Sequence, residues 1–283
     1  MEVLVSFLHA FIYSSIVIIF MFIAKKFADI KVGFLYDANQ QIQTFSNIAL
    51  AFRRSGLYLG VAIAMFVSIG DIKDTSNLAN NIIAQIIDGS LILIFLFLAM
   101  VINDKILLKN INNNQAILQN NIAVSLVEFG SFIATSIIAY ASFYGDGPWY
   151  SSIIFFILGQ VLLILMVVIY ESFMKFDILE SIKDDNISSG LLICGVLISY
   201  SIVLKSTIMG PFISWSNDLF HFAISALSGI ILLLILSNSL INRLFLVKTS
   251  IKKEIIENKN IPSILIVVSL KIAIALVISS VVL

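Results

Sequence analysis

Residues 121–134 read Asn-Ile-Ala-Val-Ser-Leu-Val-Glu-Phe-Gly-Ser-Phe-Ile-Ala, and this stretch contains the pattern that organises the whole chain. It opens with an Asn-Ile pair, Gly130 follows nine positions after the Asn, and Ala134 follows four positions after the glycine. An Asn side chain can accept from the free N–H groups that begin a helix. Small residues four apart lie on one helix face and let two helices approach closely in a membrane. We therefore expect a membrane helix that starts at Asn121 and packs through its small residues.

The same pattern occurs four times along the chain, which indicates an internal repeat. The Asn residues that open the four copies are Asn47, Asn121, Asn186 and Asn260. The small residues nine and thirteen positions later are Gly56 and Gly60, Gly130 and Ala134, Gly195 and Ser199, and Ser269 and Ala273. Asn47 and Asn186 are as far apart as Asn121 and Asn260, so two copies make one half of the chain. We expect one domain at 1–144 and a second at 145–283.

The composition places both domains in a membrane. Of the 283 residues, 60% are hydrophobic and only 12% are charged, and the mean hydropathy is +1.06. A water-soluble domain needs a more charged surface than this. Apolar runs long enough to cross about 30 Å of hydrocarbon lie at roughly 3–24, 47–69, 79–102, 121–143, 149–171, 186–208, 217–240 and 261–283. The sequence therefore predicts an all-α protein with about eight transmembrane helices, in two four-helix halves that share one orientation and form a parallel repeat.

Basic residues predict the orientation. Four connections, between spans one and two, three and four, five and six, and seven and eight, contain twelve Lys or Arg residues, whereas the opposite side has Lys73 and Lys205. Short loops rich in Lys and Arg stay in the cytoplasm, so we expect these four connections to be cytoplasmic and both termini to lie on the opposite side of the membrane. Three of these connections contain apolar residues at helical spacing, around 106–111, 176–182 and 251–256. We expect these segments to lie on the inner leaflet, with their lysines near anionic lipid.

The repeat residues also resemble a known family. Asn47-Ile-Ala-Leu-Ala51 through Gly56, and Asn121-Ile-Ala-Val-Ser125 through Gly130, look like the pattern of the YjfL-type bacterial inner-membrane proteins, domain of unknown function 350. Typical members resemble one half of this chain, so the chain looks like two fused copies. The last repeat departs from the pattern at Pro262 and Ser269. The resemblance implies a bacterial inner-membrane protein without an established activity, in a family discussed beside envelope-stress proteins and ligase-like soluble enzymes. In that membrane both termini would be periplasmic.

Ionisable residues inside the spans are candidate functional residues, because a charge is costly in hydrocarbon. They are Arg53, Arg54, Asp88, Glu128 and Lys271. Arg54 and Glu128 both lie seven positions after a repeat Asn, so equal depth predicts that they pair. Asp88 and Lys271 are a second predicted pair, near mid-membrane. Such pairs either lock helices together or line a polar pathway, and the sequence is compatible with both.

Several classes of function have no support in the sequence. No nucleophile elbow, phosphate loop, HExxH motif or dinucleotide fingerprint occurs, so we expect no enzymatic activity and no cofactor. His9 and His221 stand apart from other ligand-type residues and Cys194 is a single thiol in an apolar stretch, so no metal site is expected. The formal net charge is zero, which gives no basic surface for nucleic acid.

Two hypotheses of function remain. We favour a transporter or channel-like protein whose buried charges line a hydrated path. The alternative is a non-transporting scaffold that recruits soluble or lipid partners through its basic cytoplasmic loops. In both cases the bilayer is the surrounding partner, and we expect a homo-oligomer because small-residue stripes can also join subunits.

Overall fold

The structure is a computed structural model, and it describes residues 2–32, 35–70, 77–144, 147–174, 176–246 and 249–281. In these residues eight helices are long and apolar enough to span a membrane. The odd-numbered spans are α1 (Glu2–Val32), α4 (Leu78–Leu107), α7 (Trp149–Met174) and α10 (Trp215–Leu240). The even-numbered spans are α3 (Ile48–Gly70), α6 (Ile122–Phe143), α9 (Ile187–Ile208) and α12 (Ile261–Val281). The predicted all-α architecture of two parallel four-helix halves is confirmed.

A short helix precedes each even-numbered span. The four short helices are α2 (Ala38–Gln43), α5 (Asn113–Leu118), α8 (Ile178–Lys183) and α11 (Ile251–Ile256). A π-helical turn, Ile241–Phe245, prolongs α10 before α11. Each repeat unit is thus a long helix, a short helix and an even-numbered span. We call the end of the bundle where the short helices lie the basic side.

Two expectations about the short helices are wrong. The helix of the second connection is α5 and not the apolar run at 106–111, because α4 continues to Leu107. Their apolar faces were expected to meet lipid, but Ile117, Ile182 and Ile255 are fully buried in the protein. Apolar residues at helical spacing fit a protein core as well as a lipid surface.

The even-numbered spans form a row, in the order α3, α6, α9, α12, and the odd-numbered spans flank that row. The two inner members are the most enclosed, because 83% of the most apolar stretch of α6 and 78% of that of α9 are buried, against 17% for α1. The centre of the protein is therefore the row of even-numbered spans.

Glycines set the spacing within this row. A Cβ atom added to Gly56 would lie 2.8 Å from the Cα of Phe129, and one added to Gly130 would lie 2.7 Å from the Cα of Cys194. On Gly195 it would lie 2.5 Å from a Val268 methyl group. Contacts this short leave no room for a side chain, so the spans approach closely. At Gly56 and Gly130 the glycine meets the backbone of the next span, and at Gly195 it meets the Val268 side chain. Each glycine faces the next span of the row.

Candidate functional site

The repeat Asn residues hold the basic side of the row together. Each Oδ1 atom accepts from a backbone N–H in the first turn of its own span; for Asn47 the donor is Leu50, at 2.8 Å. The amide groups of the first three reach the following unit. Asn47 Nδ2 donates to the carbonyl of Ile117 at 2.9 Å, and Asn186 Nδ2 donates to the carbonyl of Ile255 at 2.9 Å. Asn121 Nδ2 donates to the carbonyls at the end of α8. One residue type therefore caps its own helix and binds the next short helix.

The residue before each repeat Asn strengthens this join. Ser46, Asn120, Asp185 and Lys259 all have a positive φ, between 44° and 62°, which turns the chain from the short helix into the span. Asn120 Oδ1 accepts from the N–H of Ala49 at 3.0 Å, and Asp185 Oδ1 accepts from the N–H of Ala123 at 3.0 Å. In the fourth unit Asn260 Nδ2 donates instead to the Glu254 carboxylate of its own short helix, at 2.7 Å.

A cluster of arginines and carboxylates lies in the first half, and we call it the arginine cluster. Arg53 on α3 binds Glu128 on α6 twice, through Nη2 to Oε1 at 2.7 Å and through Nε to Oε2 at 2.5 Å. The predicted partner, Arg54, turns instead to Asp29 near the end of α1. The pairing of Arg54 with Glu128 is thus wrong, because neighbouring residues on a helix point about 100° apart. Arg53 therefore points from α3 towards α6, and Arg54 points from α3 towards α1.

Neutral side chains complete the arginine cluster. Arg53 Nη1 donates to Asn114 Oδ1 at 2.9 Å, and Asn113 Nδ2 donates to Glu128 Oε1 at 3.1 Å. Both arginines and Glu128 are buried. Every buried charge here faces an opposite charge and further hydrogen-bond partners, so the cluster is electrostatically closed. Its four charged members join α1, α3 and α6.

The second half contains a different arrangement around Lys271 on α12, and we call it the lysine cluster. Lys271 Nζ donates to Ser237 Oγ at 3.0 Å and to Asn238 Oδ1 at 3.2 Å, both on α10. It also lies 4.8 Å from the centre of the Tyr170 ring on α7. Lys271 is 2% exposed. Among the residues that the structure describes, no carboxylate lies within ion-pairing distance of this amine.

The predicted pairing of Lys271 with Asp88 is wrong as well. Asp88 lies half-buried on α4, in the first half, whereas the partners of Lys271 come from α7 and α10. The hydroxyl group of Tyr170 is buried and has no hydrogen-bond partner in the described part of the chain. The lysine cluster is therefore made of one cation and neutral groups.

Two apolar grooves lie between odd-numbered spans, one in each half. The groove between α1 and α4 has a volume of about 720 Å³, and Ser90 is the polar residue among those that line it. The groove between α7 and α10 has a volume of about 560 Å³ and contains Asn238 and Ser239 at one end. Exposed residues such as Phe173 and Ile235 form its rim, so it opens to the side of the bundle. Asn238 belongs both to this groove and to the lysine cluster.

The remaining candidate residues lie apart from these clusters. Ser269 and Ala273 on α12 are exposed, unlike the small residues of the first three units. His9 is half-buried beside Tyr13, and His221 is exposed near Asp218 at the opposite side of the bundle. No group of three His, Cys, Asp or Glu residues that could hold a metal occurs in the described ranges.

Sequence reasoning missed several residues of the two clusters. Asp29 follows Lys25 by one turn on a helix that continues past the apolar run, and that spacing could have indicated an ionic partner. Ser237 and Asn238 interrupt an apolar run near the end of span seven, which is a weaker signal. Nothing in the sequence indicated that Tyr170 belongs to the lysine cluster, because a tyrosine in a span is most often a packing residue.

Comparison with known proteins gives a family and no activity. The model of a family described as Domain of Unknown Function (DUF350) matches residues 2–143 and again residues 147–282. A curated relative from Aquifex aeolicus (strain VF5), named UPF0719 transmembrane protein, is 24% identical over 194 residues, which cover 66% of this chain and 69% of the relative. No solved structure matches the chain.

Proposed function

This chain belongs to the DUF350 family, whose domain it contains twice, and on that premise we propose that it is a membrane carrier for an anionic amphiphile. The ligand would have a phosphate or carboxylate headgroup and an acyl chain. It would enter from the side, into the groove between α7 and α10, and its headgroup would approach Lys271. This proposal specifies the transport hypothesis as a lateral route and not an axial pore.

The observation that carries the proposal is the isolation of the Lys271 amine. A buried ammonium group without an opposite charge is destabilising by several kcal/mol in general, even with hydrogen-bonding neighbours. Ser237, Asn238 and Tyr170 supply two neutral acceptors and a ring face. A bound anion would supply the missing charge. Among the described residues, Lys271 is therefore the one best placed to recognise an anion.

The groove beside this amine has the dimensions and polarity for the rest of such a ligand. A volume of about 560 Å³ lies in the usual range of small-ligand sites. Its walls are apolar along most of their length, and Asn238 and Ser239 lie at one end. An acyl chain would lie against the walls and the headgroup would lie at the polar end. Asn238 would then contact both the headgroup and Lys271.

The depth of the amine also favours a headgroup. Lys25 and Asp29 near the end of α1 lie level with Arg54, because Asp29 binds Arg54 and the Lys25 carbonyl accepts from it. Charged residues of this kind mark the boundary of the hydrocarbon. In its own repeat Lys271 lies four residues further along the span than Arg54, about 6 Å. A lysine side chain can cover that distance.

Two features of the row argue against an axial pore. The close contacts at Gly56, Gly130 and Gly195 close the row between neighbouring spans. The charges of the arginine cluster neutralise one another, so they do not offer a free site to a passing ion. A lateral route at the lipid-facing side does not require the glycine contacts to open or the ion pairs to break.

A scaffold function is the second candidate, and one observation favours it. Lys252 and Lys253 on α11 are exposed at the basic side, where anionic lipid or an acidic protein surface could bind them. Lys73, Lys175 and Lys248 lie outside the described residues. On the basic-residue asymmetry we assign this side to the cytoplasm of a bacterial inner membrane and both termini to the periplasm.

The test compares Lys271→Leu with Lys205→Leu, which removes a lysine that packs on Tyr140 near the other end of the bundle. Purified protein is incorporated into nanodiscs, and binding of a fluorescent anionic fatty acid and of phosphatidylglycerol is measured against phosphatidylcholine. We expect both anionic probes to bind wild type and Lys205→Leu, and binding to fall about tenfold or more in Lys271→Leu. Equal binding by both variants would reject the site. Binding without movement of the fatty acid between leaflets of liposomes would retain the site and reject the carrier.

A further inference from the structure

The row of even-numbered spans repeats one contact three times. We call the residue nine positions after a repeat Asn the glycine position, and the residue eight positions after a repeat Asn the contact position. In each case the glycine position of one span meets the contact position of the next span in the row. The three contacts are Gly56 with Phe129, Gly130 with Cys194, and Gly195 with Val268. The register of the row is therefore constant, and every span presents a contact position on one side and a glycine position on the other.

At the two ends of the row these positions have no partner among the residues that the structure describes. The contact position of α3 is Ser55, and the glycine position of α12 is Ser269; both are exposed. Around Ser55 the exposed face of α3 includes Ile48, Leu59 and Phe66, at helical spacing. Around Ser269 the exposed face of α12 has further members, which are Leu265, Ala273 and Leu276. The row thus ends in two exposed and mainly apolar faces.

We propose that a second copy of this chain continues the row, with Ser269 of one copy packed against Ser55 of the next. The two end faces have the register of the three internal contacts, and both central residues are small enough for close approach. All even-numbered spans run in the same direction. Adding a copy by the same step therefore places it in the membrane with the same orientation, as a bilayer requires.

The contact joins two different faces, so it is heterologous and repeats from copy to copy. Such an arrangement closes into a ring when the rotation between copies permits it, and otherwise grows into a linear array. A symmetric dimer would instead bring two Ser269 residues, or two Ser55 residues, together. This difference makes the proposal testable with single cysteines.

The contact uses the membrane-embedded faces and not the basic side. Inside the chain, repeat Asn residues also bind the next short helix, but the Asn260 amide is held by Glu254. The N–H that Asn120 and Asp185 bind in the first two even-numbered spans corresponds to Pro262 in the last one, and proline has no N–H. At the basic side, the polar groups of the last unit therefore need no partner from a second copy. The helix faces alone hold the copies together, and the contact is weaker than the internal ones.

Cysteine crosslinking in native membranes tests the proposal. Two differently tagged copies of the full chain are co-expressed, one with Ser55→Cys and the other with Ser269→Cys, and a lipid-soluble oxidant is added. Native Cys194 is buried, so the parent chain serves as the background. We expect a crosslink between the two tags, and none when Ser269→Cys is combined with Ser90→Cys, an exposed serine on α4. Each single variant should give no crosslinked dimer.

The opposite results would overturn the proposal. A dimer formed by Ser269→Cys alone or by Ser55→Cys alone would show a symmetric contact. Equal crosslinking with Ser90→Cys would show random collision. As an independent measurement, Ser269→Leu should weaken self-association in detergent by about tenfold, whereas Ser90→Leu should leave it unchanged. Because Ser269 is exposed, its replacement leaves the fold intact, and an unchanged oligomer in Ser269→Leu would reject the contact.

Discussion

The arginine cluster and the lysine cluster place buried charge in the two halves of the same repeat, but they do so in opposite ways. In the first half, Arg53 faces Glu128 and Arg54 faces Asp29, so each cation has a carboxylate. In the second half, Lys271 has a hydroxyl group, an amide oxygen and an aromatic ring. A closed set of ion pairs holds helices together, whereas an isolated cation is suited to bind an anion. The duplication therefore kept the scaffold and gave the halves different polar centres.

The strongest test of this contrast is the removal of Glu128. Glu128→Leu leaves Arg53 buried without its carboxylate, and we expect the free energy of unfolding to fall by about 3–5 kcal/mol. The double variant Arg53→Leu with Glu128→Leu should recover much of this loss, since it leaves no unpaired charge. Unfolding in detergent, followed by tryptophan fluorescence during titration with SDS, provides the measurement.

The matched control for this comparison of single and double variants is Arg54, the residue next to Arg53. Arg54 binds Asp29 and not Glu128, so the effects of Arg54→Leu and Glu128→Leu should add. Strong coupling of Arg54 with Glu128, together with additivity of Arg53 and Glu128, would contradict the geometry of the cluster.

A smaller effect, with a different sign, is expected at Lys271. Lys271→Leu removes an uncompensated charge and fills the space with apolar atoms, so the free energy of unfolding should stay unchanged or rise by about 1 kcal/mol. The same SDS titration measures it, beside Lys205→Leu. If Lys271→Leu destabilised the protein as much as Glu128→Leu does, the lysine cluster would be a second lock and the contrast between the halves would disappear.

The smallest expected effect is a change in stability at acid pH, and it concerns Glu254 on the short helix α11. Hydrogen bonds from Thr249, Asn258 and Asn260 hold the pKa of Glu254 below its usual value of about 4.5. A lowered pKa means that the folded state favours the ionised carboxylate. Its contribution to stability is therefore complete above about pH 4.5 and is lost as the pH falls through the lower folded value.

The variant Glu254→Gln isolates this contribution. Between pH 7 and pH 3.5 its thermal unfolding midpoint should fall less than that of wild type, because the titrating group is gone. Glu180→Gln, on the equivalent short helix α8, is the control, since Glu180 is exposed and forms a surface pair with Lys183. Equal acid sensitivity of Glu254→Gln and wild type would exclude Glu254 as the source.

The sequence predicted those features that depend on hydropathy and repetition. Eight spans, the parallel repeat and the family follow from long apolar runs and from the four Asn-Ile copies, which report on length and order along the chain. The depth of Arg54 and Glu128 also followed from their place in the repeat. Their pairing did not, since depth leaves open which helix lies on which side, and Arg53 points towards α6 instead.

The surroundings of Lys271 could not be predicted for a related reason. Its partners are neutral residues on α7 and α10, and neutral polar residues do not disclose a partner through their charge. The burial of the short helices could not be predicted from the sequence either. Ile182 and Ile255 have the spacing of a lipid-facing stripe, and only the packing of α8 and α11 beneath the row shows that they face protein.

The level of Asp29 beside Arg54 has a consequence for the lipids around this protein. If the hydrocarbon begins at Arg54, the rest of α3 up to Gly70 measures about 24 Å, which is shorter than an average hydrocarbon layer of about 30 Å. The long α1, with 31 residues, must tilt steeply to stay in the same layer. The short central row thus favours a locally thinned bilayer. Hydrophobic mismatch of this kind draws a protein towards short-chain, fluid regions of a membrane, and it adds a lipid-mediated attraction between neighbouring copies.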